Sequence, residues 1–141
     1  MKTLLIASVL ALAAATASAQ PTSTGNTVTI TGNQPVIDLP SMPYVMHAQE
    51  FGRYIGSYDL SNGKSIHLFV RAGTKYAAIE GEAEHVLVAA SDNSFVAKDR
   101  QLAVTIDLHE NGSVGGEVLM TVPKRLADGT TESRVVKVAM H

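Results

Sequence analysis

The sequence predicts an all-β protein: an antiparallel meander of about eight strands that closes into a small barrel, with one short helical turn before the first strand. Turn-forming pairs recur at short intervals, among them Asn62-Gly63, Asn111-Gly112 and Asp128-Gly129. The runs between them are short and β-prone, which is typical of consecutive hairpins. They leave no room for the crossover helices that a parallel sheet needs.

The helical turn is predicted within VMHAQEFGRY, residues 45–54. Met46, Phe51 and Tyr54 would share one side of a helix there, and Gly52 limits it to a turn or two. Period-two alternation then predicts strands with one buried face. The predicted inward positions are Ile66, Leu68 and Val70; Leu102, Val104, Ile106 and Leu108; Val114, Val118, Met120 and Val122; and Val136, Val138 and Met140. HVLVAA, residues 85–90, breaks the alternation and is predicted to be buried on both faces.

The chain divides into three predicted segments. Residues 1–19 have the pattern of a cleaved signal peptide, with Lys2, an apolar run and the triplet Ala-Ser-Ala at 17–19. Residues 20–43 are predicted to form an extended lead-in, in which TVTIT could add an edge strand, and residues 44–141 the β-barrel domain. We therefore expect a protein exported by a bacterium to the periplasm or the extracellular medium, with no membrane insertion after signal cleavage.

Composition excludes some function classes. The formal net charge is −2, and the 11 Lys and Arg residues are scattered along the chain, with Lys124-Arg125 as the one adjacent pair. A nucleic-acid partner is not expected, because it calls for a basic stripe. The chain has no cysteine, so burial must stabilise the fold without disulfides. We expect no cofactor.

Two stretches carry a resemblance to a known family. They are RYIGSYDLSNGKSIHLFVRAGTKYAAIEG, residues 53–81, and FVAKDRQLAVTIDLHENGSVGGEVLM, residues 95–120. With their Tyr-x-Gly-x-Tyr opening and late Gly-x-Val-x-Gly, they resemble the small lipocalin-like module found C-terminal to bacterial serine hydrolases of the penicillin-binding and β-lactamase type. The match covers about residues 50–122. It implies an eight-stranded barrel with no established catalytic residue, here as a standalone exported protein.

Three tyrosines are the candidate ligand-binding residues, at the expected mouth of the barrel: Tyr54, Tyr58 and Tyr76. The alternative is that rings near the start of a barrel only pack, with each hydroxyl kept near water. Gly56, between the first two tyrosines, is predicted to let backbones approach closely.

Each catalytic or metal-binding motif in the sequence can also be interpreted as an ordinary turn or an exposed surface. Ser61-Asn62-Gly63-Lys64 matches the S-x-x-K nucleophile motif, but Asn-Gly predicts a hairpin instead of the helix that the motif needs. Glu80, Glu82 and Glu84 are compatible with a calcium rim, and a solvated turn is the preferred interpretation. The metal-site candidates are Asp107, His109 and His67, with ordinary exposed histidines as the alternative. No catalytic residue is predicted.

The sequence thus predicts an exported, non-enzymatic β-barrel that acts as a binding, accessory or scaffolding module, with an envelope protein as one expected partner. One alternative is a carrier of a small apolar ligand, for which small inward residues at Ala78, Gly116 and Ala139 would leave space inside the barrel. A second alternative is a metal-dependent or hydrolytic enzyme.

Overall fold

The computed structural model describes residues 34–141. The predicted signal peptide and most of the lead-in, including TVTIT, lie outside the described residues. Residues 34–43 contain neither helix nor strand. Within the described part of the chain, no helix is long and apolar enough to span a membrane.

The predicted all-β meander with a short preceding helix is confirmed. A single eight-stranded sheet has its strands in chain order, and every neighbouring pair is antiparallel. The elements are α1 (Ala48–Gly52), β1 (Gly56–Asp59), β2 (Ser65–Arg71), β3 (Thr74–Ile79), β4 (Glu84–Ala89), β5 (Ser94–Ala97), β6 (Leu102–Leu108), β7 (Val114–Arg125) and β8 (Thr131–Met140).

Period-two patterning places one face of the sheet in the core. In β6, Leu102, Val104 and Ile106 are buried, while Asp107 between them and the turn is exposed. The alternation predicted for β7 and β8 is likewise confirmed, with Val118, Met120, Val138 and Met140 buried. Such a face stabilises the fold by removing apolar surface from water.

Two of the patterning predictions fail in detail. Val70 continues the inward face of β2 but is 40% exposed, because it lies next to the turn to β3. β4 is not buried on both faces: Leu87 and Ala89 are buried, and Val86 and Val88 are half-buried. Burial therefore alternates along β4 as it does in the other strands, and only the outer face of β4 is more apolar than usual.

Helix α1 lies against the core through the side chains that the sequence predicts. Met46, Phe51 and Tyr54 all belong to the main core cluster. The Phe51 ring meets Phe95 edge to face at a centroid distance of 5.2 Å, and Tyr54 meets the same Phe95 at 5.3 Å. Edge-to-face aromatic pairs of this kind add about 0.5–1.5 kcal/mol beyond their area burial.

The sheet is not closed into a barrel by a hydrogen-bonded ladder. β1 and β8 approach each other only at an isolated bridge between Leu60 and Met140. Beside it, the Ser61 N–H donates to the Ala139 carbonyl at 2.9 Å and the His141 N–H donates to the Asp59 carbonyl at 3.1 Å. The described fold is thus an eight-stranded meander with one bridge between its two edges.

Glycine is required at Gly116, whereas the prediction for Gly56 is wrong. A Cβ on Gly56 would meet only the Tyr58 ring, at an ordinary 3.7 Å. Gly116 has φ +139°, and a Cβ there would lie 2.1 Å from the Thr105 carbonyl oxygen. Any side chain at Gly116 would therefore push β7 away from β6.

The small residues expected inside the barrel do not face inward as a set. The inward alanine of β3 is Ala77, which is fully buried and pairs with buried Leu68. Its neighbour Ala78 therefore lies on the opposite face, and Ala139 is exposed. Gly116 does face inward, because it pairs with buried Ile106 and Met140. The space predicted for an apolar ligand does not form at Ala78 and Ala139.

Candidate functional site

A cavity of about 400 Å³ lies where helix α1 and the residues on either side of it meet the turn between β4 and β5 and the end of β6. Eleven residues from these four segments line it: Tyr44, Met46, Glu50, Arg53, Tyr54, Asp92, Asn93, Ile106, Asp107, Leu108 and His109.

Backbone hydrogen bonds hold the walls of the cavity in place. The Tyr44 N–H donates to the Ala89 carbonyl of β4 at 2.9 Å, beyond the last paired residue between β3 and β4. The Ile106 N–H donates to the Asn93 carbonyl at 3.0 Å, which fixes the β4–β5 turn against β6. Buried Phe51 fixes α1 on the core. The cavity is therefore built on ordered elements.

Tyr54 places a polar group at the base of this cavity. The residue is 6% exposed, and its ring packs on Phe95. Among residues 34–141 its hydroxyl has no hydrogen-bond partner, and no side-chain polar atom there is both fully buried and unpartnered. The hydroxyl is therefore reached through the cavity, where it is free to donate or accept a hydrogen bond.

Charges around the cavity act on the same hydroxyl. Burial raises the pKa of Tyr54, and the carboxylates of Asp92, Asp107 and Glu50 raise it further, against the opposing effect of Arg53. The Arg53 guanidinium lies 6.0 Å from the centroid of the Tyr54 ring. The net effect holds the pKa of Tyr54 above its ordinary value of 10.0.

The three carboxylates of the cavity lack ion-pair partners within the described part of the chain. Asp107 accepts a hydrogen bond from the Asn93 side-chain amide at 3.0 Å, and Glu50 accepts one from the His47 backbone N–H at 2.6 Å. All ion pairs found in that part lie elsewhere: Lys64–Glu82, Arg71–Glu84, His85–Asp99 and Lys137–Glu117. The cavity therefore carries uncompensated negative charge.

Of the three candidate tyrosines, only Tyr54 lines the cavity. The Tyr58 hydroxyl donates to the Tyr54 carbonyl at 2.8 Å, so it supports the turn that carries Tyr54. Tyr76 faces the other side of the sheet, where it stacks on Phe69 at 5.4 Å. The prediction that all three tyrosines lie together at one barrel mouth is therefore wrong. Side chains alternate along β3, so Tyr76 points outward while Ala77 faces the core.

The three metal-site candidates do not all lie at one site. Asp107 and His109 both line the cavity, but His67 is exposed on β2 and is not part of the lining. Between residues 34 and 141, no group of three or more His, Cys, Asp or Glu side chains is arranged to hold a metal ion. His109 lies over the β7 backbone, with its Nε2 3.4 Å from where a Cβ on Gly115 would be.

The S-x-x-K match forms a turn, as predicted. Gly63 has φ +81° between β1 and β2, and the Ser61 hydroxyl accepts a hydrogen bond from the Ala139 N–H at 3.2 Å. Lys64 instead pairs with Glu82 at 2.5 Å. The motif lacks the helix on which a Ser and a Lys act together.

The glutamates around Gly81 form the predicted solvated turn. Glu80, Glu82 and Glu84 are all exposed. Glu82 pairs with Lys64 and Glu84 pairs with Arg71, so two of the three carboxylates are engaged by separate cations. They do not converge as calcium ligands would.

Several residues of the cavity were not predicted. Glu50 and Arg53 lie four and one residues before Tyr54, which was predicted, so helical periodicity could have placed Glu50 on the side of Tyr54. Asp92 and Asn93 have only the signature of a turn. Their approach to α1 depends on strand pairing across the fold, which no local pattern records.

Comparisons of the chain with protein-family models, with curated proteins and with solved structures find no match. The site is therefore interpreted from its own geometry and chemistry.

Proposed function

We propose that this chain is an exported, non-enzymatic binding protein that takes up a small molecule in the cavity beside α1. One observation carries the proposal: Tyr54 is 94% buried, yet its hydroxyl is unpartnered within residues 34–141 and borders a cavity of about 400 Å³. The hydroxyl is reached through the cavity, because no side-chain polar atom of this part of the chain is both fully buried and unpartnered. It therefore presents a free donor and acceptor that a bound ligand could use.

The size and lining of the cavity support small-molecule binding. Small-molecule sites usually measure about 300–1,000 Å³ and combine apolar walls with a few placed polar groups. Met46, Ile106 and Leu108 supply the apolar part here, and the other lining residues are polar or charged. This composition favours a ligand with a polar or charged group over the purely apolar ligand of the carrier alternative.

The absence of catalysis is part of the proposal. The residues that line the cavity include no serine, threonine, cysteine or lysine; the nucleophile types that it does contain are carboxylates, phenols and one imidazole. Asp107 accepts a hydrogen bond from Asn93, which suits a fixed binding group. A His109–Asp107 acid–base pair is the remaining basis for an enzyme, and turnover of bound molecules would reveal it.

Export and barrel closure belong to the same proposal. Export is supported by the Lys2, apolar run and Ala-Ser-Ala pattern of residues 1–19. Closure into a lipocalin-like barrel is supported by the meander order of eight strands and by the bridge between Leu60 and Met140. Both features fit the resemblance to the module that accompanies bacterial serine hydrolases.

The test is a protein-observed methyl NMR screen of a small-molecule library against the exported form of the protein. We expect hits that shift the methyl signals of Ile106 and Leu108. Tyr54→Phe should weaken their binding about 5–10-fold, because one hydrogen bond is worth about 1 kcal/mol. Tyr76→Phe is the matched control, since its ring stacks on Phe69 on the other face of the sheet and does not line the cavity.

Three outcomes would contradict the proposal. Hits that bind equally well to Tyr54→Phe would place the site elsewhere. A library without any hit would argue against small-molecule binding. Conversion of a hit to a product, lost in His109→Ala, would make the protein an enzyme.

A second candidate function is docking on a protein of the bacterial envelope. The observation that favours it is the exposure of Met42 and Val45, at 83% and 82%, just before α1. A penicillin-binding-type hydrolase from the same bacterium should then co-purify with the wild type and not with Val45→Asp. Equal recovery with both proteins would reject this candidate.

A further inference from the structure

Resting on the proposed function, we infer that the ligand of this cavity is an organic cation: an ammonium group attached to a compact apolar body. The charge, the aromatic rings and the apolar wall of the cavity all fit such a ligand.

The charge of the lining is strongly one-sided. Glu50, Asp92 and Asp107 supply three carboxylates, and Arg53 supplies the single permanent cation. They come from three separate elements, namely α1, the β4–β5 turn and β6, so the fold brings them together across long sequence distances. None of the ion pairs within residues 34–141 involves them. A cationic ligand would supply the missing compensation, and an anionic one would add to the repulsion.

The buried phenol is an independent indication of a ligand. The Tyr54 hydroxyl has no partner in the described part of the chain, although the side chain is almost fully buried and borders the cavity. Its oxygen can accept a hydrogen bond from an ammonium N–H. Burial and, to a smaller degree, the nearby carboxylates raise its pKa, and the protonated phenol can donate a second hydrogen bond.

Aromatic rings add a second source of attraction. Tyr54 and Tyr44 both line the cavity, and Tyr44 is partly exposed at 42%, as a residue at an entrance would be. The face of a tyrosine ring attracts a cation within about 6 Å. Arg53 already lies at 6.0 Å from the Tyr54 ring, which shows that a cation is tolerated there.

The same geometry disfavours a metal ion. Calcium takes six to eight oxygen ligands that converge on one point. No such group of three side chains forms among residues 34–141, and two of the three cavity carboxylates already accept hydrogen bonds from Asn93 and His47. Met46, Ile106 and Leu108 offer nothing to a metal ion but can contact hydrocarbon. An ammonium on an apolar body would contact both the carboxylates and these apolar side chains.

The experiment compares three probes of similar size that differ in charge: 2-phenylethylammonium, 2-phenylethanol and phenylacetate. Binding to the wild-type protein is measured by NMR titration at neutral pH and low salt. We expect the ammonium to bind at least ~10-fold more tightly than the alcohol, and phenylacetate to bind most weakly. Raising the ionic strength should weaken the binding of the ammonium probe but not of the other two.

A pair of charge-matched variants then locates the effect. Asp92→Asn with Asp107→Asn removes two negative charges from the cavity, and Asp128→Asn with Glu132→Gln removes two from the distant β7–β8 hairpin. The first pair should reduce ammonium affinity ~10-fold or more, and the second should change it less than ~2-fold. Circular dichroism verifies that both remain folded.

The outcomes separate this inference from the proposed function. If phenylacetate or the alcohol binds in the cavity as tightly as the ammonium, the ligand class is wrong and small-molecule binding stands. If the two variant pairs weaken the ammonium equally, the attraction comes from net charge and the inference fails. If no probe and no library compound binds, both proposals fail.

Discussion

Arg53 beside the cavity and Arg71 on the outer face of the sheet each lie over a tyrosine ring, at 6.0 Å from Tyr54 and 4.6 Å from Tyr76. Around Arg71 the groups are mutually satisfied. Its Nη2 is 2.6 Å from Glu84 Oε2 and its Nη1 is 3.3 Å from Glu84 Oε1. Around Arg53 the groups are not mutually satisfied. Three carboxylates and a phenol share the cavity with Arg53, and none of the carboxylates forms an ion pair in the described part of the chain.

The outer-face cluster, defined as Phe69, Arg71, Tyr76 and Glu84, and the cavity therefore differ in pairing more than in composition. In the outer-face cluster the bidentate pair and the stacked rings use up the available interactions. The pKa of Arg71 is raised by its hydrogen bond to Glu84, in agreement with this pairing. The comparison teaches that arginine, acid and tyrosine identify a binding site only when they remain unsatisfied by one another.

The largest expected effect comes from truncating one ring in each region. Phe51→Ala removes a fully buried ring that joins α1 to Phe95, so the free energy of unfolding should fall by about 3–5 kcal/mol. Phe69→Ala removes a half-buried ring from the outer-face cluster and should cost less than about 1.5 kcal/mol. Urea denaturation measures both. Equal losses would show that the cavity region is no better anchored than the surface.

A somewhat smaller effect is expected where β7 supports the cavity wall. Gly116→Ala should destabilise the fold by about 2–4 kcal/mol, because φ +139° is strained for alanine and its Cβ would collide with the Thr105 carbonyl. Gly52→Ala in α1 is the control, with no atom within 4 Å of the new Cβ and an expected change within about 0.5 kcal/mol. The midpoint of thermal unfolding distinguishes them. A tolerated Gly116→Ala would mean that β6 and β7 separate easily.

The smallest effect tests pairing at His85 and Asp99, whose Nδ1 and Oδ2 atoms are 2.7 Å apart. Burial raises the pKa of Asp99, but hydrogen bonds from the His85 side chain and the Gln101 N–H outweigh it and leave the pKa below the ordinary 3.8. The folded state thus favours the carboxylate. Its contribution to stability is present above the pKa of the unfolded chain and is lost as the pH falls through the lower folded value.

An NMR titration of the Asp99 carboxyl carbon measures this directly. In the wild type the midpoint should lie below 3.8, and His85→Ala should raise it. An unchanged midpoint in His85→Ala would assign the lowered pKa to the backbone hydrogen bond from Gln101 alone.

Local patterns predicted most of the fold. The helix with Met46, Phe51 and Tyr54 on one side, and the alternation of β6 to β8, depend on periodicities that neighbouring residues set by themselves. The turn at Asn62-Gly63 was predictable for the same reason, since glycine adopts the positive φ at little cost. These features need no knowledge of distant contacts.

The site was predictable only in fragments. Tyr54, Asp107 and His109 were identified separately, whereas their common cavity depends on the pairing of β5 with β6 and on the hydrogen bond from Tyr44 to Ala89. The outward direction of Tyr76 depends on the phase of β3, which a shift of one residue would reverse. Long-range register therefore carries the information that the sequence pattern lacks.

The bridge between Leu60 and Met140 also affects how the fold opens locally. A full ladder must unzip over many residues, but a junction of this kind requires only a few hydrogen bonds to separate. Excursions of that type occur at free energies well below that of global unfolding. The junction between β1 and β8 is therefore where solvent deuterium would first reach the apolar interior, long before the strands of β6 and β7 exchange.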